Sequence, residues 1–102
     1  MDIKTLTSLM HEFVGSKGWY QPGSKRIQSI RNLAISLNLE AAEVLEHFQW
    51  TDECEDKEEL AGELADVALY LLQLASISGI DLEKAILDKL SKNANRNWDM
   101  NK

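Results

Sequence analysis

The sequence is poor in the residues that build sheets and irregular folds. Its 102 residues include one proline, and aromatic side chains make up only 7% of the chain. Leucine, alanine, glutamate and lysine are frequent, and these residues favour helices. The composition therefore predicts an all-α protein. The length predicts one domain, residues 1–102.

Cysteine, signal features and long apolar runs are also scarce. Cys54 is the single cysteine, which excludes an intramolecular disulfide and a multi-cysteine metal site. The N-terminus lacks the charged start and apolar run of a signal peptide. The longest apolar run, residues 67–72, is far shorter than a membrane span. We therefore expect a soluble, cytoplasmic protein without a membrane partner.

Positive charge is in short supply. Lys and Arg number 11 against 17 Asp and Glu, which gives a formal net charge of −6. Because nucleic-acid backbones are bound by arrays of Lys and Arg, we expect no nucleic-acid partner. An acidic protein can still bind phosphates through a divalent ion.

Apolar residues at helical spacing predict four helices. The first covers residues 3–17 with Asp2 as its cap, and the second runs from residue 27 or 29 to Trp50. The third covers residues 57–78 and ends at Gly79, and the fourth begins after Asp81 and reaches about residue 93. The third helix is apolar on more than one side, so we expect a second subunit to complete its core.

Two acidic pairs, Glu40-x-x-Glu43 and Glu63-x-x-Asp66, lie on the second and third helices. Glu40 and Glu63 each interrupt an apolar stripe, where an ionised carboxylate needs a partner or a metal. The pattern predicts no basic partner on the same faces, since the nearest basic residues on the second helix are Arg31 and His47. Converging oxygen donors predict a magnesium site that holds phosphates, with manganese as the alternative ion. One of the acids, or a fifth nearby, would serve as general base.

The sequence allows two other interpretations of these acids. In the first they are ordinary surface residues of acidic helices. In the second they form a di-iron carboxylate site, which requires Glu-x-x-His twice. Neither His11 nor His47 follows a Glu by three positions, so the iron site is disfavoured. Glycine-rich phosphate loops, serine nucleophile motifs and zinc signatures are also absent.

The acidic pattern, with 19 residues between its two pairs, resembles the signature of the MazG-like, all-α nucleoside triphosphate pyrophosphohydrolases. The surrounding sequence strengthens the resemblance over about residues 28–98: Arg31-Asn32-Leu33, Phe48-Gln49-Trp50, Val67 with Tyr70, and Lys89, Asn93 and Arg96. The order and spacing are most similar to the short, single-domain dCTP-pyrophosphatase-like branch. One departure is Gln28-Ser29-Ile30, where that branch has a His-Gln-Pro lead-in. Preference for a particular base therefore does not carry over.

This resemblance implies a bundle of four to five helices that acts as a homodimer or homotetramer. It also implies magnesium-dependent cleavage of (d)NTPs to the monophosphate and pyrophosphate, which removes surplus or modified nucleotides. The implied metal-binding and catalytic residues are Glu40, Glu43, Glu63 and Asp66.

Further residues are implied to contact the nucleotide. Trp19, Trp50 and Tyr70 would hold the base, and Gln28 could read a base edge through its amide. The residues that would approach the phosphates are Lys89, Asn93 and Arg96. Structural alternatives exist: Trp50 fills the core at a helix end, and the basic residues form a solvated end of the fourth helix.

Two other functions stay open at the level of sequence. The first is a non-catalytic acidic helical module for interaction or regulation. The second is a phosphoribosyl-ATP pyrophosphohydrolase. The Phe48-Gln49-Trp50 segment favours the dCTP-like branch over the latter.

Overall fold

The computed structural model describes residues 1–97 and contains four α-helices over that range. They are α1 (Ile3–Ser16), α2 (Ile30–Glu46), α3 (Lys57–Ile77) and α4 (Leu82–Ala94). No strand occurs among these residues, so the all-α prediction is confirmed. Trp98, the last residue of the family resemblance, lies outside the described part of the chain.

Each helix begins at a side chain that caps its first turn. Asp2 and Asp81 accept hydrogen bonds from the backbone N–H groups of Thr5 and Lys84, at 2.8 and 3.1 Å, as the sequence predicted. Asp56 caps α3 in the same way, through the N–H of Glu59 at 3.0 Å. Such caps satisfy backbone donors that a helix start leaves unpaired.

Glycines end α1 and α3. Gly18 and Gly79 have φ angles of +75° and +72°, a region that side chains with a Cβ rarely adopt. After α3 the N–H of Ile80 donates to the carbonyl of Ala75 at 2.9 Å, and the N–H of Gly79 donates to Ser76 at 3.1 Å. This pair of bonds is the Schellman motif, and it reverses the chain toward α4.

Helix α2 is shorter than the sequence predicted. It ends at Glu46 with His47 as its C-cap, whereas the apolar spacing of Phe48 and Trp50 predicted helix to residue 50. The segment from residue 47 to residue 50 forms turns, and Trp50 is 90% exposed. The alternative reading of Trp50 as a core plug is therefore wrong.

Helix α3 is the centre of the bundle: it packs most extensively against α2, next against α1 and least against α4. Among the described residues the buried apolar side chains are few, namely Met10, Val14, Leu33, Leu72 and Ala75. Large apolar side chains of α3 and α4 remain exposed, including Leu64, Leu71, Leu87 and Leu90. The radius of gyration is 16.5 Å, against about 13 Å for a compact domain of 100 residues. One chain thus leaves much of its apolar surface in contact with water.

By length and composition alone, α3 would be able to cross a membrane. The core helix of a soluble protein passes the same test. In α3 the apolar stretch also contains Glu63 and Asp66, and an acid at the centre of a bilayer costs about 2.5–3.5 kcal/mol on the insertion scale. The composition of α3 is equally that of a helix buried against protein.

Candidate functional site

The four predicted acids lie where α2 packs against α3. Glu40 and Glu63 are partly buried, whereas Glu43 and Asp66 are exposed. Burial raises the pKa of the Glu40 carboxyl, and a hydrogen bond shared with Glu43 raises it further. The negative charges of Glu43, Asp66 and Glu63 act in the same direction. All three other acids are therefore close enough to Glu40 to influence its charge, as one negative cluster.

Glu63 has a basic neighbour that the sequence interpretation missed. Its Oε2 atom lies 2.6 Å from His47 Nε2, and both side chains are largely buried, at 13% exposed for His47 and 17% for Glu63. The expectation that no basic residue faces these acids is therefore wrong for Glu63. The reason is the early end of α2, because His47 follows the helix and turns toward α3.

Two carboxylate oxygens in the cluster are buried and, apart from the contact of Glu63 with His47, have no hydrogen-bond partner among the described residues. They are Glu40 Oε2 and Glu63 Oε2. The contact of Glu63 with His47 is an ion pair only when the imidazole is protonated. A buried, unpaired carboxylate oxygen is costly, and a cation relieves that cost. The residues present therefore fit a divalent metal.

The donor set allows more than one kind of ion. The four acids offer oxygen ligands, which magnesium prefers. Ligand atoms of His47, Glu59 and Glu63 also lie within 4.8 Å of one another. A nitrogen ligand in this second set suits a transition metal better than magnesium. Glu59 was not predicted, although it lies one turn before Glu63 on the same face of α3.

A cavity of about 530 Å³ opens beside the acids, between α1, the loop that follows it, α2 and α3. Four of the predicted site residues line it together: Trp19, Gln28, Asp66 and Tyr70. Asp66 thus connects the acidic cluster with a mainly apolar chamber. A chamber of this size and lining is typical of a small-molecule site.

The cavity also has polar and cationic residues that the sequence interpretation did not select. Lys25 and Arg26 line it, as do Asn32 and Gln73. The Arg26 guanidinium lies 5.4 Å from the ring centroid of Trp19, and Trp19 packs edge-on against Phe13 at 5.7 Å. In the sequence, the signal that could have identified Lys25 and Arg26 was their adjacency in an aromatic, glycine-rich loop. Gln73 gave none, because it lies within an apolar run.

The remaining predicted residues lie outside this cavity. Trp50 is exposed at the turn after α2, and Lys89 is exposed on α4. Asn93 is partly buried near the end of α4, and Arg96 is exposed just beyond it. Both make interactions of their own. Their roles toward a substrate stay predictions.

Comparisons with known proteins agree with this geometry. Residues 35–102 match the MazG-like family. Over 103 aligned positions the chain is 30% identical to dCTP pyrophosphatase 1 of Rattus norvegicus and 31% identical to that of Homo sapiens, covering 92% of this chain. The chain spans 58% of the length of these curated relatives. A stretch of 38 residues is 47% identical to a dATP/dGTP diphosphohydrolase of Salmonella phage PMBT28, covering 37% of this chain and 13% of that protein.

A solved structure has a similar fold. The crystal structure of a pyrophosphatase from Archaeoglobus fulgidus superposes with a TM-score of 0.76 at 34% identity. The match covers 89% of this chain and 87% of that one.

Proposed function

This chain belongs to the MazG-like family, and we propose that it hydrolyses nucleoside triphosphates to the monophosphate and pyrophosphate. The observation that carries the proposal is the buried Oε2 atom of Glu40, which has no hydrogen-bond partner among the described residues and lies in an acidic cluster that Asp66 connects with the cavity. A metal-bound triphosphate at the acids, with its base in the cavity, accounts for both features. The names of the relatives support the same substrate class.

Glu40, Glu43, Glu63 and Asp66 would hold magnesium, or manganese in its place. When bound, such an ion neutralises phosphate charge and makes a water molecule a better nucleophile. Glu59 lies beside this cluster, one turn from Glu63, and would be the acid that takes a proton from the attacking water. His47 holds the carboxylate of Glu63 in one orientation.

Organic parts of the substrate would occupy the cavity. Trp19 and Tyr70 offer ring faces for the base. Lys25 and Arg26 line the same chamber, and their positive charge would attract the phosphates. The protein would act in the cytoplasm as a homodimer or homotetramer, which the exposed apolar side chains of α3 and α4 support.

Pyrophosphate release tests the proposal directly. Purified protein with magnesium is offered the common (d)NTPs, several modified dNTPs and phosphoribosyl-ATP. We expect release from at least one (d)NTP, and loss of that release in Glu63→Gln and Glu40→Gln. Glu46→Gln, an exposed acid at the end of α2, is the matched control and should keep full activity. Release from phosphoribosyl-ATP alone would favour the alternative function, a phosphoribosyl-ATP pyrophosphohydrolase.

Absence of release from every substrate would favour the non-catalytic interaction module. In that case Glu40→Gln should leave the partner interaction unchanged. Thermal stabilisation by magnesium and a non-hydrolysable nucleotide separates the two readings, because ligand binding to the folded state raises its stability. The enzyme predicts this stabilisation in the parent and its loss in Glu63→Gln.

A further inference from the structure

A continuous chain of hydrogen bonds runs along one wall of the cavity, from the loop after α1 to α3. It joins six residues: Arg26, Gln28, Gln73, Tyr20, His11 and Ser76. Gln73 is at its centre, is only 3% exposed and lines the cavity. Arg26 joins these hydrogen bonds through its backbone carbonyl and not through the guanidinium proposed for the phosphates, and the other five residues have no role at the metal or the phosphates.

The direction of the hydrogen bonds at Gln28 and Gln73 follows from the Arg26 end of the chain. Gln28 Nε2 donates to the backbone carbonyl of Arg26 at 2.6 Å. A carbonyl only accepts, so the opposite atom of the Gln28 amide, Oε1, must face Gln73. It accepts a hydrogen bond of 2.8 Å from Gln73 Nε2. The orientation of the Gln73 amide is thereby fixed.

The other half of the chain agrees with this assignment. The second N–H of Gln73 donates to the Tyr20 hydroxyl at 3.1 Å, and that hydroxyl lies 2.6 Å from His11 Nδ1. His11 Nε2 lies 2.8 Å from Ser76 Oγ, so the imidazole bridges the two hydroxyls. Burial raises the pKa of the Tyr20 hydroxyl, which favours its protonated form.

Both N–H groups of the Gln73 amide are therefore engaged with protein. What Gln73 can offer a ligand in the cavity is its carbonyl oxygen, a hydrogen-bond acceptor. Gln73 lies seven residues after Asp66 on the same face of α3, two turns or about 10.5 Å along the axis. Asp66 marks the metal and phosphate end of the cavity, so Gln73 lies toward the base end.

We propose that Gln73 Oε1 is a specificity-determining acceptor that receives the exocyclic amino group of a nucleobase. The proposal rests on the proposed nucleotide substrate. Cytosine and adenine carry an amino group where uracil, thymine and hypoxanthine carry a carbonyl. An amino group donates to Gln73, whereas a carbonyl at that position faces another acceptor and leaves both oxygens unpaired in a buried site. The hydrogen-bond chain that holds Gln73 therefore favours cytosine and adenine over uracil, thymine and hypoxanthine.

Two pairs of nucleotides test this selection. Members of the pairs dCTP/dUTP and dATP/dITP differ in an amino or carbonyl group at one ring position and in the proton on the adjacent ring nitrogen. We expect kcat/KM to favour the amino member of at least one pair by about tenfold or more, which corresponds to about 1.4 kcal/mol. No such preference in either pair overturns the proposal.

Two variants show whether Gln73 is responsible. Gln73→Met removes the acceptor at nearly the same volume, and the amino-to-carbonyl ratio should fall toward one. Gln28→Leu removes the lock on the amide, which can then turn an N–H toward the base, and the ratio should fall or reverse. Gln21→Met, an exposed glutamine outside the cavity, should keep the parent ratio. A parent-like ratio in both test variants overturns the proposal, since a purely structural glutamine would change stability without changing selectivity.

Equilibrium binding separates this inference from the proposed function. Calorimetry of the parent and Gln73→Met with dCMP and dUMP needs no hydrolysis. A preference for dCMP that Gln73→Met removes supports the inference even when no triphosphate is cleaved, in which case the proposed function alone fails. Cleavage of both members of both pairs at equal rates supports the function and overturns the inference. Failure both to bind and to cleave overturns both.

Discussion

His47 Nε2 lies 2.6 Å from Glu63 Oε2, so the first residue after α2 is paired with an acid in the first half of α3. Cys54 lies on the other side of the His47 ring, with its Sγ 3.7 Å from His47 Nδ1. The same thiol donates to the carbonyl of Asp56 at 3.3 Å. The loop that joins the two helices is thereby connected to a predicted metal ligand. A partner of this kind orients a ligating carboxylate.

We expect His47→Asn to weaken metal binding by about 10–100-fold, the usual effect of losing an outer partner of a ligand. The measurement is calorimetry with magnesium and, separately, manganese. A positioning role predicts similar losses for both ions. A larger loss for manganese would show instead that His47 is a direct ligand, together with Glu59. Unchanged affinity for both ions would contradict either role.

Glu40→Gln should raise the thermal midpoint of the metal-free protein by a few degrees near neutral pH. The folded-state pKa of Glu40 is raised, chiefly by burial, so the folded protein favours the neutral carboxyl. As pH rises through that pKa, the folded state loses the proton and with it stability. Melting curves in a chelator at about pH 8 and about pH 4 check this, since the difference should vanish where Glu is protonated in both states. Glu46→Gln is the control.

Arg26→Gln should raise KM for a triphosphate about tenfold or more. A hydrogen bond to a charged group contributes about 1.5–3 kcal/mol, and 1.4 kcal/mol is a factor of ten. Arg26 lines the cavity, whereas Lys89 lies on exposed α4. The measurement is KM, from steady-state kinetics of Arg26→Gln and Lys89→Gln. Arg26 is the cation that lines the cavity, whereas Lys89 was selected from the family resemblance. A large effect of Lys89→Gln with none of Arg26→Gln would assign the phosphates to α4.

The chain should be a dimer or tetramer in solution. Leu71 of α3 is 41% exposed and Leu87 of α4 is 60% exposed in one chain. Exposed apolar surface on this scale marks an interaction site. Light scattering should give a mass above 11.6 kDa by an integral factor, and Leu71→Glu should lower it. The exposed Leu39→Glu change on α2 serves as a comparison. A monomer at every concentration would contradict the prediction.

Local features were predictable because their causes lie within a few residues. Asp2 and Asp81 are caps next to an apolar repeat, and Gly79 ends α3 because a positive φ is easiest for glycine. Glu40 and Glu63 could be selected because each breaks the apolar spacing of its helix. The end of α2 was missed since no glycine or proline marks it, and the spacing of Phe48 and Trp50 imitates a continuing helix.

The sequence by itself determined the class of the fold, the start and end of most helices and the acids that need a cation, because periodicity and capping act over one or two turns. Only the tertiary structure decided that His47 pairs with Glu63, that Arg26 joins Trp19 at the cavity, and that Gln73 is held in one orientation by Gln28 and Tyr20. The Gln73 contacts join residues 45 and 53 positions apart. Such contacts depend on how the loop after α1 packs against α3, and the pattern along a single helix carries no record of that packing.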